Sequence, residues 1–146
     1  IKHLYPAANI PVIQLSIDYT KPAQYHYELA QKLQVLRNKG ILIIGSGNIV
    51  HNLRRVDFQN FNKEDYGFDW AIEARAKINQ HLTSGDFQPL IDYDKQGTAF
   101  QLAIPTPEHY LPLLYSLGLK QKDEDLSLFN DKLVAGSLSM TSLKIS

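Results

Sequence analysis

An α/β fold with a mostly parallel sheet and helices on both faces is the class that this sequence predicts. Segments 10–18 (IPVIQLSID) and 41–47 (ILIIGSG) are short runs dominated by β-branched and other apolar residues, which is typical of buried strands. Segment 21–40 between them is long and amphipathic, which is typical of a helix. A strand, a helix and a strand in this order form a βαβ unit, so we expect the two strands to be parallel with a right-handed crossover.

The boundaries of the helix predicted over 21–40 come from residues with a known positional preference. Pro22 suits the first turn, and Gly40 suits the position where a helix stops. The helical spacing predicts one apolar face made of Tyr25, Leu29, Leu33 and Leu36.

The middle of the chain is expected to be mainly helical. Segment 55–68 is aromatic and polar without clear periodicity, and we expect a loop there. Segment 69–86 predicts a helix that ends at Ser84-Gly85, whereas 87–104 is ambiguous and suggests short helical turns. The apolar face predicted for the helix at 69–86 consists of Trp70, Ala74, Ile78 and Leu82.

The last third of the chain combines one more helix with strands. Segment 105–118 predicts a helix with Thr106 as N-cap and Pro107 in its first turn. Pro112 conflicts with a regular helix unless it begins a second segment or makes a kink. Segment 123–146 alternates enough to suggest two strands around Ala135-Gly136.

Composition excludes several classes of function. The chain has 146 residues, enough for one domain, and its 44% hydrophobic and 21% charged residues are typical of a globular protein. Its 15 Lys and Arg equal its 15 Asp and Glu, so we expect no nucleic-acid partner. No apolar run approaches the ~18 residues of a membrane span, so we expect no membrane partner. Cysteine is absent, which excludes disulfides and thiolate ligands and fits our expectation of a cytoplasmic protein.

His51 is the first candidate functional residue. It follows the predicted strand at 41–47, and open α/β sheets bind ligands beyond the carboxyl ends of their strands. A structural histidine in a strand-to-helix turn is an equally good interpretation of its position. The GSG at 45–47 lacks the third glycine of a dinucleotide fingerprint and the Gly-Lys-Ser/Thr of a P-loop. Neither GSGNI nor GSLSM fits the G-x-S-x-G of a serine hydrolase.

His109, in PTPEHYLPL, is the second candidate. It falls in the first turn of the helix predicted from 105, where the positive end of the helix dipole favours the neutral, metal-binding imidazole. A capping or surface histidine is the simpler interpretation, and Glu108 is a possible carboxylate neighbour. His26 and His81 lie in amphipathic helices, and we expect them at the surface or its edge.

Both histidine segments belong to a wider resemblance. The stretches GNIVHNLR and PTPEHYLPL, together with IPVIQLSID and GSLSMTSLKIS, resemble the class III extradiol ring-cleaving dioxygenases, and within them the 4,5-DOPA dioxygenase branch. The resemblance runs from near residue 5 to the C-terminus and is loose over 57–104.

The resemblance implies a non-haem Fe(II) enzyme that cleaves a catechol such as DOPA with O₂. It implies that His51 is the acid/base, close to the metal and sometimes treated as a ligand, and that His109 is a metal ligand. Other class III branches use a glutamate ligand in this region, so Glu108 is a minor candidate. Imidazole and oxygen ligands also bind Zn(II), so we expect that Zn(II) can occupy the same site.

One departure from the family pattern limits what this chain can do alone. The family takes two further histidine ligands from an N-terminal half, one of them in a GHGSP-like segment, and neither is present here. The chain opens with Ile1 and its only methionine is Met140, so we expect residues 1–146 to be the C-terminal part of one catalytic domain. The expected partner is the N-terminal half, without which we expect an inactive fragment with exposed apolar edges at 10–17 and 41–46. A zinc-dependent hydrolase and a non-catalytic metal-binding remnant on the same fold remain alternatives.

Overall fold

The computed structural model of the chain describes residues 1–146. They form five α-helices, three 3₁₀ turns and four short strands. The α-helices are α1 (Ala23–Arg37), α2 (Asp69–Ser84), α3 (Gln88–Ile91), α4 (Thr98–Ala103) and α5 (Leu111–Gly118). Short 3₁₀ turns occur at Leu53–Arg55, Phe58–Asn60 and Tyr93–Lys95. The strands are β1 (Leu126–Phe129), β2 (Leu133–Val134), β3 (Leu138–Ser139) and β4 (Ser142–Ile145).

Helix α1 forms where the sequence predicts it, and Leu29 and Leu33 of the predicted face pack against α5, but the most buried stripe is shifted away from Tyr25. Its most buried residues are His26 and Ala30, whereas Tyr25 is 42% exposed. The difference arises from close packing against α5. A Cβ on Gly118 would lie 2.5 Å from the Tyr27 carbonyl oxygen and 2.7 Å from Ala30 Cβ, so this contact requires small residues. The expectation that His26 lies at the surface is therefore wrong.

Burial of His26 should make the stability of the chain depend on pH. His26 is fully buried, with Nδ1 3.2 Å from the Tyr115 hydroxyl oxygen, and burial lowers its pKa below the ordinary value. The unfolded chain therefore takes up a proton on this residue below about pH 6.5, whereas the folded chain does so only at lower pH. We expect the contribution of His26 to the free energy of unfolding to fall as the pH drops from about 6.5 towards the lowered pKa, by at most about 1.4 kcal/mol per pH unit.

Urea denaturation between pH 5 and 8 measures this dependence. His26→Gln, which cannot titrate, should show a shallower loss of stability on acidification than the wild type. Equal slopes for the two chains would contradict the prediction.

The middle of the chain builds the main core as predicted. Ala74, Ile78 and Leu82 on α2 are buried, and Gly85 ends this helix in the left-handed conformation with φ 74°. The ambiguous stretch 87–104 consists of α3, a 3₁₀ turn and α4, which confirms short helical segments. Trp70 is partly buried and packs against the core. None of the helices combines the length and the apolar character that crossing a bilayer would require.

Helix α5 begins later than predicted, at Leu111, with Pro112 in its first turn. The backbone N–H groups of Tyr110 and Leu111 both donate to the Pro107 carbonyl, so residues 107–110 form a separate turn. Pro112 thus begins a new segment, which was one of the two predicted ways to accommodate it. His109 lies in the turn before α5, so the prediction that it occupies the first turn of a helix is wrong.

The C-terminal region has four strands where the alternation predicted two. β2 and β3 pair antiparallel across a turn at Ala135-Gly136, whose φ values are 52° and 79°. β1 and β4 pair antiparallel outside them, with Leu126 opposite Ile145. The predicted turn is confirmed.

The mostly parallel sheet is not confirmed, because the strands form two separate antiparallel pairs. Residues 10–18 and 41–47, predicted as parallel strands, are not strands in the structure, and no backbone hydrogen bond joins them. A strand needs backbone hydrogen bonds to a neighbouring strand, and neither segment makes them in this chain. Most of their apolar side chains are exposed instead, as in Ile13 at 93% and Leu42 at 63%, whereas Ile17 and Ile43 pack against buried core residues.

Candidate active site

His51 is held by backbone hydrogen bonds to two other parts of the chain. Its N–H donates to the Ala103 carbonyl at the end of α4, at 2.8 Å, and the residue forms an isolated antiparallel bridge with Leu138. The neighbouring Asn52 donates from its backbone N–H to Ser137 and from its side-chain Nδ2 to the Leu102 carbonyl. The position of His51 is therefore set by α4 on one side and β3 on the other.

The glycines at 45 and 47 allow the turn before α5 to approach this segment. A Cβ on Gly47 would lie 2.2 Å from the His109 carbonyl oxygen, and one on Gly45 would lie 2.7 Å from that of Pro112. The Asn48 N–H donates to the His109 carbonyl at 2.8 Å. The GSG that follows the apolar run thus brings His109 close to residues 48–51.

The two histidines predicted as functional lie side by side. Their ring centroids are 5.1 Å apart with an interplanar angle of 53°. His51 is 4% exposed, whereas the His109 side chain is 49% exposed. Two imidazoles at this separation are close enough to act on one bound ion or molecule.

The surroundings of His51 determine which ring nitrogen carries the proton. Nε2 lies 2.9 Å from the Thr106 carbonyl oxygen, and because a carbonyl can only accept, Nε2 must donate. In the neutral ring the lone pair is then on Nδ1, which is buried and has no hydrogen-bond partner. Burial lowers the pKa of His51, and the Thr106 carbonyl offsets part of that effect. His51 is thus a neutral imidazole with an available lone pair at neutral pH.

Glu108 faces the second histidine. Its Oε1 accepts a hydrogen bond from the Thr106 hydroxyl at 2.7 Å and lies 3.5 Å from His109 Nδ1. The hydrogen bond from Thr106 lowers the pKa of Glu108, so the carboxylate is ionised at neutral pH.

Buried polar atoms without a hydrogen-bond partner are concentrated near His51. Buried polar groups in proteins are nearly always paired, so such a group marks atoms available to a bound molecule or ion. The unpartnered atoms in this region are Asn48 Oδ1, His51 Nδ1, Asn52 Oδ1 and Ser137 Oγ. Sequence analysis did not single out Asn48, Asn52 or Ser137, although both asparagines lie within GNIVHN together with His51.

His109 and Asn48 also line a cleft of about 730 Å³. Its walls are largely apolar and come from residues 41–45, from α5 and from β4. The apolar run predicted as a strand therefore borders an open, apolar space instead of a neighbouring strand.

The structure gathers no group of three or more His, Asp or Glu side chains that could hold a metal ion. His26, on α1, is buried against α5, and His81 lies on α2 near Asp86. Neither lies beside the His51–His109 pair. The donor set that this chain supplies is two imidazoles with Glu108 beside one of them.

The chain thus combines five α-helices and two short antiparallel strand pairs with a pair of adjacent histidines. Residues 1–141 match the family described as the catalytic LigB subunit of aromatic ring-opening dioxygenase, and the chain belongs to this family.

Named relatives agree with this assignment. The chain is 42% identical to 4,5-DOPA dioxygenase extradiol of Escherichia coli, over 97% of this chain and 52% of the relative. It is 31% identical to 4,5-DOPA dioxygenase extradiol of Beta vulgaris, over 97% of this chain and 51% of the relative. A crystal structure of an uncharacterized Escherichia coli K12 protein superposes with a TM-score of 0.87 at 40% identity, over 97% of this chain and 58% of that one. The chain thus spans about half the length of the curated relatives it matches.

Proposed function

We propose that this chain supplies part of the active site of an extradiol dioxygenase that opens the ring of a catechol such as DOPA with O₂. Family membership and the names of the relatives support the reaction class. The observation that carries the proposal is the His51–His109 pair, with ring centroids 5.1 Å apart.

The two histidines fit a non-haem metal centre. His51 Nδ1 is a buried lone pair without a partner, and neutral imidazoles suit both Fe(II) and Zn(II). We propose His109 as a metal ligand and His51 as the acid/base, close enough to serve as a ligand as well. Bound Fe(II) would supply Lewis acidity and a site for O₂, whereas Zn(II) would occupy the site without supporting oxygen chemistry.

The protein residues have a separate task, which is to move protons. A catechol must lose protons to chelate a metal, and a neutral imidazole can accept one. Burial keeps His51 neutral at physiological pH, and the Thr106 carbonyl fixes the proton on Nε2. Nδ1 is therefore the atom that would receive the substrate proton.

The rest of the donor set and of the sheet would come from a further segment as long as the part of the relatives that this chain does not cover. Three observations support this further segment: the exposed apolar stretch at 10–18, the open cleft beside 41–45, and a donor set of two imidazoles, fewer than the three groups a metal site needs. We propose that such a segment, in the same polypeptide or as a separate chain, pairs with both stretches. The mostly parallel sheet with helices on both faces would then be complete.

Catechol turnover tests this function. The chain combined with the proposed further segment and loaded with Fe(II) should consume O₂ and open the ring of DOPA. Residues 1–146 alone should show little or no turnover under the same conditions. Metal binding without any turnover by this combined protein would contradict the enzymatic proposal and favour a non-catalytic remnant.

Reconstitution tests the proposed division of the site. Adding the half of the Escherichia coli relative that this chain does not match should restore activity to residues 1–146, because that relative is 42% identical over the matched half. A matched control adds the same half to the His109→Ala chain, which should stay inactive.

A further inference from the structure

Thr106 makes hydrogen bonds both to His51 and to Glu108, the neighbour of His109. Its backbone carbonyl accepts a hydrogen bond from the N–H of His51 Nε2 at 2.9 Å. Its hydroxyl donates to Glu108 Oε1 at 2.7 Å, and the same oxygen lies 3.5 Å from His109 Nδ1. One residue is thus linked to His51 through its main chain and to His109 through its side chain.

The carboxylate of Glu108 influences which nitrogen of His109 holds the proton. At 3.5 Å its contact with Nδ1 is longer than a normal hydrogen bond and acts mainly through charge. A negative charge beside Nδ1 favours the tautomer with the proton there, which leaves the lone pair on Nε2. Metal-binding histidines commonly depend on such a carboxylate to set the tautomer and ring orientation.

The hydroxyl of Thr106 restricts where that carboxylate can be. Glu108 is 44% exposed at its side chain, and a free glutamate there would sample several rotamers in water. The 2.7 Å hydrogen bond from Thr106 holds Oε1 on the side facing His109. The hydroxyl of Thr106 therefore acts on His109 through Glu108.

We propose that Thr106 and Glu108 are positioning residues that present His109 Nε2 to the metal, with Glu108 beside the ligand and not itself a ligand. This inference rests on the proposed function, since it takes His109 as a metal ligand. It differs from the glutamate-ligand alternative because it gives the carboxylate an orienting role at Nδ1.

The Zn²⁺ affinity of the metal-free chain combined with the proposed further segment, measured by titration calorimetry, tests the proposal. Thr106→Val removes the hydroxyl but keeps the branched shape and the carbonyl that His51 uses. We expect it to weaken Zn²⁺ binding about tenfold, with Glu108→Ala weakening it about 10- to 100-fold. Thr106→Ser should restore wild-type affinity, which a merely structural role for the threonine side chain would not require.

A double-mutant cycle shows whether the two residues act in series. Because Thr106 acts through Glu108, adding Thr106→Val to Glu108→Ala should cause no further loss of affinity. The matched control is Thr20→Val, which removes another exposed threonine hydroxyl that donates to a carboxylate, that of Asp18 at 2.5 Å. It should bind Zn²⁺ as the wild type does.

The outcomes separate this inference from the function it rests on. If His109→Ala abolishes Zn²⁺ binding but Thr106→Val binds like the wild type, or if the two losses are additive, the positioning role is overturned and the proposed metal site stands. If His109→Ala binds Zn²⁺ as tightly as the wild type, both the metal site and the positioning role are overturned. Thermal unfolding of each metal-free variant should match the wild type, since Thr106 and Glu108 are exposed.

Discussion

Replacing His51 by glutamine is expected to lower catechol turnover by the complete enzyme about 10²- to 10⁴-fold, the usual contribution of a positioned acid/base. Glutamine can still donate to the Thr106 carbonyl that His51 Nε2 faces, but it cannot accept a proton from the substrate. The loss should therefore appear in the chemical step. Oxygen consumption with saturating DOPA measures it.

The metal content of the same variant distinguishes the two roles considered for His51. A slow enzyme that keeps its metal supports the acid/base role, whereas loss of metal supports a ligand role. His81→Gln is the matched control, since His81 lies on α2 with Nδ1 3.7 Å from Asp86 Oδ2 and contacts neither site histidine. Wild-type turnover in His51→Gln would contradict both roles.

Replacing Gly47 by alanine is expected to destabilise the fold by about 2–3 kcal/mol and to disturb the site at the same time. The new Cβ would lie 2.2 Å from the His109 carbonyl oxygen, which is backbone and cannot rotate away. Relieving the clash must lengthen the 2.8 Å hydrogen bond from the Asn48 N–H to the same carbonyl. His109 would then move relative to His51, and metal affinity should fall together with stability.

Urea denaturation and Zn²⁺ titration measure the two effects. Gly40→Ala is the control, because Gly40 has a φ of 74° but no atom lies within 4 Å of the position that its Cβ would take, so only backbone strain of about 1 kcal/mol is expected. Its Zn²⁺ affinity should be unchanged. A Gly47→Ala protein as stable as the wild type would show that the approach of residue 47 to His109 is not required.

Residue spacing correctly predicted those parts of the fold that depend on contacts between residues close together in the sequence. The bounds of α2 and its buried Ala74 and Ile78 follow from helical spacing, and its end at Gly85 follows from the left-handed conformation that glycine adopts easily. The turn at Ala135-Gly136 is local for the same reason. Where a partner was distant, pattern failed: apolar character predicted strands at 10–18 and 41–47, but strand pairing depends on a second backbone that this chain does not place beside them.

The buried face of α1 was decided by its neighbour. Helical spacing predicted a face made of Tyr25, Leu29, Leu33 and Leu36, of which Leu29 and Leu33 do pack against the neighbouring cluster. The close contact between Ala30 and Gly118 shifts the most buried stripe towards His26 and leaves Tyr25 exposed. When two adjacent faces of a helix both contain apolar residues, helical spacing alone does not show which face will pack against a neighbouring helix.

For the site, His51 and His109 could be proposed from the sequence because they stand in GNIVHNLR and PTPEHYLPL, the two stretches that carry the family resemblance. Their arrangement depends on the three-dimensional fold. The glycine at 47 lets the turn before α5 come close, so the rings lie 5.1 Å apart. The tautomer of His51 likewise depends on a carbonyl, that of Thr106, contributed from far along the chain. Proton position and ring separation are set by contacts between distant segments, and such contacts leave no mark in local residue spacing.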